Sequence, residues 1–404
     1  MTDSSTSLGS KSAAANRESE CPGCGSRMRP FFEIPPIPAN SCILMDSPEE
    51  ARSYPRGDLV LGFCEDCGFI RNLAFDPALA QYSARYEETQ GYSPTFRTFH
   101  EDQAAALIGR YGLKGKKVLE IGCGKGEFLA LLCELGGNRG VGFDPGYDEN
   151  RGVLDNLEDV RIVSDFYSDK YANETADFVC CKMTLEHIKD TADFVRLSRQ
   201  AVRPDGSSAV YFQVPESMRI LENCAFEDIY YEHCSYFTEG SLARLFKAQG
   251  FSVLRLQKEY GGQYLSIEAT LEEGPSRDEP AYDDLDRVRR EVATFPERCH
   301  AKIDDWRAKL SDAGRQGSVA VWGSGSKAVA FLAAVDLAAS IERVVDINPH
   351  RQGHYMPGTG QPIVSPESLR QDPPGTVIVM NSIYIPEISA QLDQLGLAPT
   401  VIGL

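Results

Sequence analysis

The sequence contains no hydrophobic run long enough to cross a membrane, and its first residues lack the apolar core of a signal peptide. It also lacks clusters of Lys and Arg, and its net charge of −18 argues against a groove for nucleic acid. Residues 1–20 are instead rich in Ser, Ala and Asn, which is typical of a disordered tail. These absences predict a cytoplasmic protein that acts on neither a membrane nor a nucleic acid.

The composition is that of a globular protein, with 42% hydrophobic and 25% charged residues in a chain of 404. A chain of this length can form two or three domains, each with its own core. In a protein of the cell interior, its 12 cysteines are expected to be metal ligands and reduced thiols more than disulfides.

Some of these cysteines form two C-x-x-C pairs, Cys21 with Cys24 and Cys64 with Cys67. Each pair places two thiolates on one side of a tight turn, and a Gly after the second Cys eases that turn. Two such turns complete the tetrahedral S₄ site that structural zinc prefers, with no position left open for chemistry. Two unrelated redox or free-thiol pairs are the alternative. Between the pairs, residues 30–40 are too proline-rich for a helix or a central strand and are predicted to form a loop.

A glycine-rich turn follows an apolar strand predicted at 117–121. Its residues Gly122, Gly124 and Gly126 can take positive φ and let a ligand approach the backbone closely. The helix that follows presents free N–H groups and a positive dipole end to an anionic group. A turn that serves packing alone, without a ligand, is the alternative.

Two acidic residues narrow the choice of ligand for this turn. Glu120 ends the strand before the first Gly, and Asp144 ends the next apolar run, where a carboxylate suits the hydroxyls of a ribose. Together with Lys125 they match the E-x-G-x-G-x-G loop of class I S-adenosylmethionine (SAM) methyltransferases better than the G-x-G-x-x-G of a dehydrogenase. The turn is therefore predicted to bind SAM.

The region around this turn alternates strands and helices, which predicts an α/β domain with a doubly wound sheet. Helices are expected at 126–135 and 191–202, among others, and another is expected to begin near His100. The last two strands have no long helix between them, so they are predicted to form an antiparallel hairpin at one edge, as in the class I methyltransferase sheet. The predicted strands are 117–121, 139–143, 160–163, 177–182, 208–214, 252–257 and 263–270.

Ligands of such sheets lie at the carboxyl ends of the strands. Asp165 and Phe166 follow the third strand and can offer a hydrogen-bond acceptor and an aromatic ring to an adenine. His187 follows the fourth strand and is a candidate functional residue for that reason, with a structural role as the alternative.

The densest cluster of polar aromatic residues, 229–237, follows the fifth strand. A His beside a carboxylate and flanked by phenols suits general acid–base chemistry, which makes His233, Glu232 and Tyr230 candidates. Glu232 could orient or polarise His233, and Tyr236 is expected to contact the substrate.

Beyond a predicted linker at 273–280, a charged helix is expected at 283–310 with a break near Pro296. A second glycine turn follows, and an acid at the end of the next strand completes a dinucleotide-type G-x-G-x-x-A pattern. The strands predicted here are 319–322, 343–346, 376–380 and 400–403. About four strands make one mononucleotide half, so a nucleotide-linked substrate is favoured over NAD, with a redox cofactor or a purely structural half as alternatives. The predicted substrate-binding residues are Gly323, Ser324, Gly325, Lys327, Asp346 and Asn381.

The order of these regions resembles the deoxysugar C-methyltransferase family, whose members methylate nucleotide-linked 4-keto sugars in antibiotic pathways. The resemblance spans nearly the whole chain after the tail. Its specific marks are the Leu-Glu-His at 185–187, the cluster at 232–237 and the segment 346–359. The last is similar to the family pattern D-x-N-P-x-K-x-G-x-x-x-P-G-T, with Arg351 near the usual Lys.

The resemblance implies SAM and a structural zinc ion as cofactors and a nucleotide-linked keto sugar as the substrate. It implies that Glu120 and the three glycines hold SAM, with Asp144 on the ribose. The residues that it implicates in proton transfer are His187, Tyr230, Glu232 and His233. The chain departs from the family pattern at 90–95, Tyr231, 261–265 and Met380, all of which are expected near the substrate.

The sequence therefore predicts a disordered tail (1–20), a zinc-binding domain (21–85), a SAM-dependent methyltransferase domain (86–275) and a helix with a Rossmann-like nucleotide-binding domain (276–404). The leading hypothesis is C-methylation next to a ketone through an enolate, with His233 as the base and Tyr230 or His187 on the enolate oxygen. O- or N-methylation of another substrate, and a SAM-binding scaffold or sensor without activity, are the alternatives. A monomer and a homodimer are both compatible with the sequence.

Overall fold

The computed structural model describes residues 19–80, 85–147, 154, 157–203, 205–271, 282–336 and 340–404. Most of the predicted tail and the predicted linker at 273–280 lie outside the described residues. Ser19–Glu20, which the sequence assigned to the tail, forms a short strand instead. Among the helices of the described ranges, none is both long and apolar enough to span a membrane.

The N-terminal region is an antiparallel sheet with one short helix. Its elements are β1 (Ser19–Glu20), β2 (Arg27–Pro38), α1 (Pro48–Ser53), β3 (Arg56–Cys64) and β4 (Ile70–Asn72). The strand order is β1-β2-β3-β4, and a later strand from the methyltransferase region completes the sheet beside β4.

The prediction of a loop at 30–40 is wrong, because β2 runs through most of these residues. Its pairing with β3 is irregular at the prolines, first between Pro30 and Phe32 and then between Ile34 and Ile37. On its other side, β1 pairs only with Arg27 and Met28. The prolines therefore lie at bulges and along an edge that, beyond Met28, no strand of the described residues pairs with, so a missing N–H there breaks no ladder.

The methyltransferase region contains a seven-stranded sheet in the order β11-β12-β9-β8-β5-β6-β7, with β12 antiparallel to both of its neighbours. The predicted strands and the reversed edge are confirmed, with bounds that differ by one or two residues. The elements are α2 (Pro94–Tyr111), β5 (Lys117–Ile121), α3 (Glu127–Gly136), β6 (Arg139–Phe143), β7 (Val160–Val163), β8 (Phe178–Lys182), α4 (Thr191–Ser198), β9 (Ala209–Pro215), α5 (Ser217–Asn223), β10 (Ser235–Tyr236), α6 (Glu239–Ala248), β11 (Phe251–Glu259) and β12 (Tyr264–Leu271).

Helix α2 begins earlier than the sequence suggested, at Pro94 and not near His100. The side chain of Ser93 accepts a hydrogen bond from the N–H of Phe96, and Pro94 occupies the first turn, where its missing N–H costs nothing. His100 therefore lies inside the helix, with its ring 4.2 Å from that of Phe96.

The C-terminal region is one long helix followed by a parallel five-stranded sheet in the order β15-β14-β13-β16-β17. The expected break at Pro296 is absent, because α7 is continuous and its buried face extends on both sides of the proline. Phe295 on that face packs edge-on against Phe32 of β2, with ring centroids 4.9 Å apart. The elements are α7 (Leu285–Gln316), β13 (Val319–Trp322), α8 (Ser326–Val335), β14 (Arg343–Val345), β15 (Ile363–Val364), β16 (Thr376–Val379), α9 (Ile385–Leu395) and β17 (Thr400–Gly403).

The two-residue strand β15 was not predicted, and it adds a fifth strand to the four expected in this sheet. Strands lie on both sides of β13, so the sheet is more than the single mononucleotide half that four strands suggested. The direction of winding changes between β13 and β16, and the carboxyl ends of these strands flank the crevice where such sheets bind ligands.

The three regions share a continuous apolar core, formed by β2 and β3, the segment around α5, and helices α7 and α8. Strand β10 of the methyltransferase region also pairs with β4, so that Tyr236 lies opposite Ile70. The chain just before β10, which carries the His233 cluster, is therefore held between the N-terminal sheet and the methyltransferase sheet.

Candidate active site

A cavity of about 810 Å³ lies where the three regions meet. Both glycine turns, the aromatic segment before α2 and the cluster around His233 line it. Every residue predicted to be catalytic, SAM-binding or substrate-binding lines this cavity except Gly126, Tyr236 and Ser324.

These three residues support neighbours that do line the cavity. Gly126 (φ +81°) begins α3, and its N–H donates to Cys123 O at 2.8 Å. Tyr236 is buried in β10, and its hydroxyl donates to Tyr230 O at 3.4 Å. Ser324 donates its N–H to Asp346 at 2.8 Å. None of the three lines the cavity, and their predicted contact with a ligand stays a prediction.

The first glycine turn and Asp144 form one side of the cavity, which we call the donor side. At Gly122 (φ +69°) a Cβ would lie 2.2 Å from Thr184 Oγ1, so no side chain fits. The Asp144 carboxylate accepts the N–H groups of Gly124 and Gly146, each at 2.8 Å. The acid and the turn are thus held as one unit beside the space that a nucleoside would occupy.

Glu120 is buried at the end of β5, and its Oε2 has no hydrogen-bond partner among the described residues. Burial raises the pKa of this carboxyl to about 8. The orphaned oxygen fits the amino group of a bound SAM molecule, because a buried acceptor without a donor is costly.

Sequence reasoning missed Lys182, a buried residue at the end of β8 that also lines the cavity. Its ammonium lies 3.5 Å from the ring centroid of Phe128 and donates to Gln103 Oε1 at 2.5 Å. Burial lowers its pKa to about 8. The available signal was a single Lys at the end of an otherwise apolar strand.

Asp165 and Phe166 lie at the rim of the donor side, as the sequence suggested. The ring of Phe166 is 64% exposed and is free to stack on a base. Asp165 accepts hydrogen bonds from Tyr171 Oη at 2.7 Å and Lys170 Nζ at 3.0 Å, which lower the pKa of this carboxyl.

On the opposite side, which we call the acceptor side, two imidazoles and a phenol lie together. The His233 ring is 4.7 Å from that of His187 and 4.0 Å from that of Tyr230, between centroids. His187 Nδ1 lies 3.1 Å from Glu232 O, and because a carbonyl can only accept, this nitrogen carries a proton. Burial lowers the pKa of both imidazoles, so both are neutral near pH 7.

Glu232 does not orient His233, contrary to the hypothesis from their adjacency. Its carboxylate turns toward the N-terminal region, where it accepts the N–H of Ser41 at 3.0 Å and the hydroxyl of Tyr86 at 2.8 Å. Asn40 donates to the same carboxylate at 3.4 Å. Glu232 therefore holds the N-terminal region against the acceptor side.

The acid that faces His233 is Glu186, whose Oε1 lies 4.0 Å from His233 Nε2. Glu186 follows β8 in a short 3₁₀ helix, Leu185–His187, and it is fully buried. Sequence reasoning singled out the neighbouring His187 and passed over this carboxyl, although an acid four residues after the end of an apolar strand was the available signal.

The second glycine turn forms a third part of the cavity, through Gly323, Gly325 and Lys327. The ammonium of Lys327 pairs with the carboxylate of Asp228. Asn381, which follows β16, exchanges two hydrogen bonds with Gln263 at 2.9 and 3.0 Å. This amide pair joins the C-terminal region to the reversed edge of the methyltransferase sheet.

A contact that nothing in the sequence pattern indicated connects the two glycine turns through Glu87. Its carboxylate lies 3.3 Å from Lys125 Nζ of the first turn and accepts from Asn348 Nδ2 at 3.0 Å. Arg351 donates to Ser324 O at 2.8 Å and also to the backbone oxygen of Glu87. The donor side and the second turn are thus bridged by one short segment before α2.

The two C-x-x-C pairs converge at the other end of the N-terminal sheet. Sγ of Cys21 lies 3.5 Å from that of Cys67, and the same distance separates Cys24 from Cys64. Thiolates about 2.3 Å from a shared zinc ion in tetrahedral geometry lie about 3.8 Å apart, so the donor set fits such an ion. The four thiols therefore form one cluster and not two separate pairs.

Comparison with known proteins agrees with this architecture. A family model described as a methyltransferase domain matches residues 95–256, and one described as a C-methyltransferase C-terminal domain matches residues 282–398. The C-methyltransferase NovU of Streptomyces niveus is 29% identical over 301 residues, which is 70% of either chain. A ubiquinone biosynthesis O-methyltransferase of Neisseria meningitidis is 30% identical over 142 residues, 32% of this chain and 58% of that enzyme.

Among solved structures, a 1,6-didemethyltoxoflavin N1-methyltransferase of Burkholderia thailandensis with bound S-adenosylhomocysteine is 21% identical. It matches 45% of this chain and 82% of its own, with a TM-score of 0.37.

The fold and the matched methyltransferase domain define a SAM-dependent methyltransferase. The second matched domain and the long match to NovU specify it further. The chain carries a methyltransferase domain followed by a C-methyltransferase C-terminal domain, and it is similar to NovU over 70% of its length.

Replacing Asp144 with alanine is expected to weaken the binding of S-adenosylhomocysteine about 10- to 100-fold. The change removes the carboxylate that is predicted to accept a hydrogen bond from the ribose. It also removes the acceptor of the Gly124 N–H in the glycine turn. Hydrogen bonds to charged groups contribute about 1.5–3 kcal/mol. Isothermal titration calorimetry with S-adenosylhomocysteine measures this change. Asp169→Ala, an exposed acid of the same region, is the control, and equal affinities for both variants would contradict the assignment.

Proposed function

We propose that this protein methylates a carbon next to the ketone of a nucleotide-linked sugar, through an enolate and with SAM as the methyl donor. The observation that carries the proposal is that one cavity joins the donor side, the buried His–phenol cluster and the second glycine turn. The match to the C-methyltransferase C-terminal domain supports methylation at carbon.

His233 is the base in this mechanism. A C–H bond beside a carbonyl is acidic enough for a well-placed imidazole, and the lowered pKa of His233 keeps its accepting, neutral form populated at pH 7. The Tyr230 phenol donates a hydrogen bond to the enolate oxygen, which stabilises it by about 3 kcal/mol. The single proton of neutral His187 lies on Nδ1 and is directed at Glu232 O, so Tyr230 is the donor of this pair. SAM supplies an electrophilic methyl group to the enolate carbon.

The second glycine turn is proposed to hold the nucleotide of the substrate. The turn opens at the end of β13, next to the end of β16, which is the ligand position in a sheet of this topology. A redox cofactor in this crevice would have no part in methyl transfer, so a nucleotide-linked substrate remains the preferred ligand.

Replacing Asp346 with alanine is expected to raise the Kd of a nucleoside diphosphate at least about tenfold while the affinity for S-adenosylhomocysteine is unchanged. The reason is that its carboxylate holds the second turn through the N–H groups of Ser324 and Asn348 and faces the cavity. Calorimetry with thymidine, uridine and guanosine diphosphates, followed by S-adenosylhomocysteine, measures both affinities.

The Asp144→Ala variant is the matched control, because it should show the opposite pair of effects. Tight binding of NAD to the wild-type protein, lost in Asp346→Ala, would contradict the assignment of this turn to the substrate.

We also propose that Cys21, Cys24, Cys64 and Cys67 hold a structural zinc ion. Four protein thiolates saturate a tetrahedral ion, so it would stabilise the N-terminal region without taking part in the reaction.

The position of the new methyl group tests the proposed function. The probes are 4-keto hexoses linked to thymidine, uridine or guanosine diphosphate. Incubation in deuterated water without SAM should exchange the hydrogen next to the ketone, and addition of SAM should then give a new carbon–methyl bond detectable by NMR. Methyl transfer to oxygen or nitrogen, or transfer from labelled SAM to none of these probes, would refute C-methylation of a keto sugar.

A further inference from the structure

Glu186 lies within the His cluster with no exposed surface, and neither carboxylate oxygen has a hydrogen-bond partner among the described residues. Its nearest ionisable neighbour is His233, with Oε1 4.0 Å from Nε2. A buried carboxyl without a hydrogen-bond partner destabilises the protein. This cost is offset if a neighbouring group becomes positively charged during the reaction.

His233 is such a group, because accepting a proton turns it into a buried cation. Burial, the His187 ring and the ammonium of Lys327 all oppose that charge and lower the pKa of His233. A nearby anion is needed to offset them. The neighbouring acid Glu232 cannot serve, because its carboxylate is turned toward Ser41 and Tyr86.

We propose that Glu186 is the positioning residue of His233, an inference that rests on the proposed function. Its Oε1 faces Nε2 across 4.0 Å and would pair with this nitrogen as the imidazole gains charge, which leaves Nδ1 as the nitrogen that removes the proton next to the ketone. The C–H bond breaks with its electron pair left on carbon, where the pair later forms the bond to the methyl group. The imidazolium is paired with the Glu186 carboxylate until the proton passes to solvent.

The groups around this pair come from several elements, and their charges bear on its titration. Among them, the ammonium of Lys327 is held by the carboxylate of Asp228. The groups that face the pair are Cys181 of β8, His187, Tyr230, Cys234, Tyr264 of β12 and Lys327 of α8.

The pair is expected to titrate as one unit that binds a single proton. Burial raises the pKa of Glu186 to about 8, so the active form, a carboxylate beside a neutral imidazole, increases as pH rises through about 8. The rate of enolisation should therefore rise over the same range and level off above it.

Glu186→Gln tests this inference in the full-length protein, first without any substrate. NMR of labelled histidine can follow each of the 6 His residues, with His233 assigned by its absence in a His233→Ala spectrum. We expect the His233 signal of the wild type to shift through about pH 8 and that of Glu186→Gln to show no transition above about pH 6. Glu186→Asp should restore part of the shift near pH 8.

The second measurement uses the keto-hexose probes in deuterated water without SAM. Glu186→Gln should exchange hydrogen at least about tenfold more slowly, with unchanged KM, and should lose the rise near pH 8. Glu227→Gln is the matched control, because Glu227 is also a buried acid with an oxygen that has no hydrogen bond, but it does not line the cavity.

Identical His233 titration in the wild type and Glu186→Gln would overturn the inference. So would turnover that depends on a divalent cation bound by Glu186, His187 and His233, whose donor atoms lie within 4.8 Å of one another. If the wild type exchanges hydrogen on none of the probes, the proposed function fails, and the substrate-free titration still decides whether Glu186 positions His233.

Discussion

Replacing His233 with alanine is expected to lower the rate of methyl transfer about a thousandfold, while the affinity for S-adenosylhomocysteine stays at the wild-type value. The imidazole lies on the acceptor side of the cavity, where it is buried against His187 and Tyr230. Without it, the proposed mechanism loses the base that removes the hydrogen next to the ketone. Single-turnover formation of methylated product, followed by mass spectrometry with the keto-hexose probes, measures the loss.

His300→Ala is the control for this variant, because His300 is exposed on α7 and does not line the cavity. A loss of less than about tenfold in His233→Ala would contradict the assignment of the base. That result would favour O- or N-methylation, in which a hydroxyl or amine loses its proton with less help.

Replacing Cys64 with serine is expected to remove the proposed zinc ion and to destabilise the protein by about 5 kcal/mol, because metal binding in such sites is coupled to folding. Cys64 ends β3, which pairs with β4, and β4 pairs with β10 directly after His233. Loss of the metal should therefore also impair the acceptor side. Zinc content by mass spectrometry, thermal unfolding and methyl transfer measure the three consequences.

Cys299→Ser is the matched control for this change, since Cys299 is an equally buried thiol on α7 that belongs to neither C-x-x-C pair. It should keep its zinc and lose about 1–2 kcal/mol at most, the usual cost of a buried hydroxyl. A Cys64→Ser protein that unfolds at the wild-type temperature would show that the four thiols are not a structural metal site.

The methyltransferase sheet could be predicted from the sequence because its central strands are buried on both faces. Such strands are short, continuous apolar runs, and β5, β6 and β8 show this pattern. The glycine turn after β5 could also be predicted from the sequence, because positive φ at Gly122 and Gly124 permits almost no other residue.

Two of the errors of secondary structure, the loop expected at 30–40 and the break expected at Pro296, concern proline. A local rule excludes proline from strands and helix interiors, yet Pro30 and Pro36 lie in β2 and Pro296 lies in α7. In β2 the missing N–H groups fall at bulges and along an edge, and in α7 burial of Phe295 and its neighbours outweighs the lost hydrogen bond. Which edge is uncovered and which helix face is buried are properties of the packed molecule.

The candidate active site shows the same limit of prediction from sequence alone. Adjacency in sequence suggested that Glu232 and His233 act as a pair, but neighbouring side chains in an irregular segment point in different directions. The carboxylate of Glu232 reaches Ser41, nearly two hundred residues away in the chain, whereas the acid that faces His233 comes from the short 3₁₀ helix after β8.

The sequence by itself determined the α/β methyltransferase sheet, the turn for the methyl donor, the two C-x-x-C pairs and the segment that carries His233. These features depend on local backbone conformation and on the order of apolar residues. Short segments of the sequence are enough to determine both. The tertiary structure decided that Glu186 is the acid beside His233 and that Glu87 bridges the two glycine turns. These contacts join residues far apart in the chain, and their side-chain directions follow only from how the three regions pack.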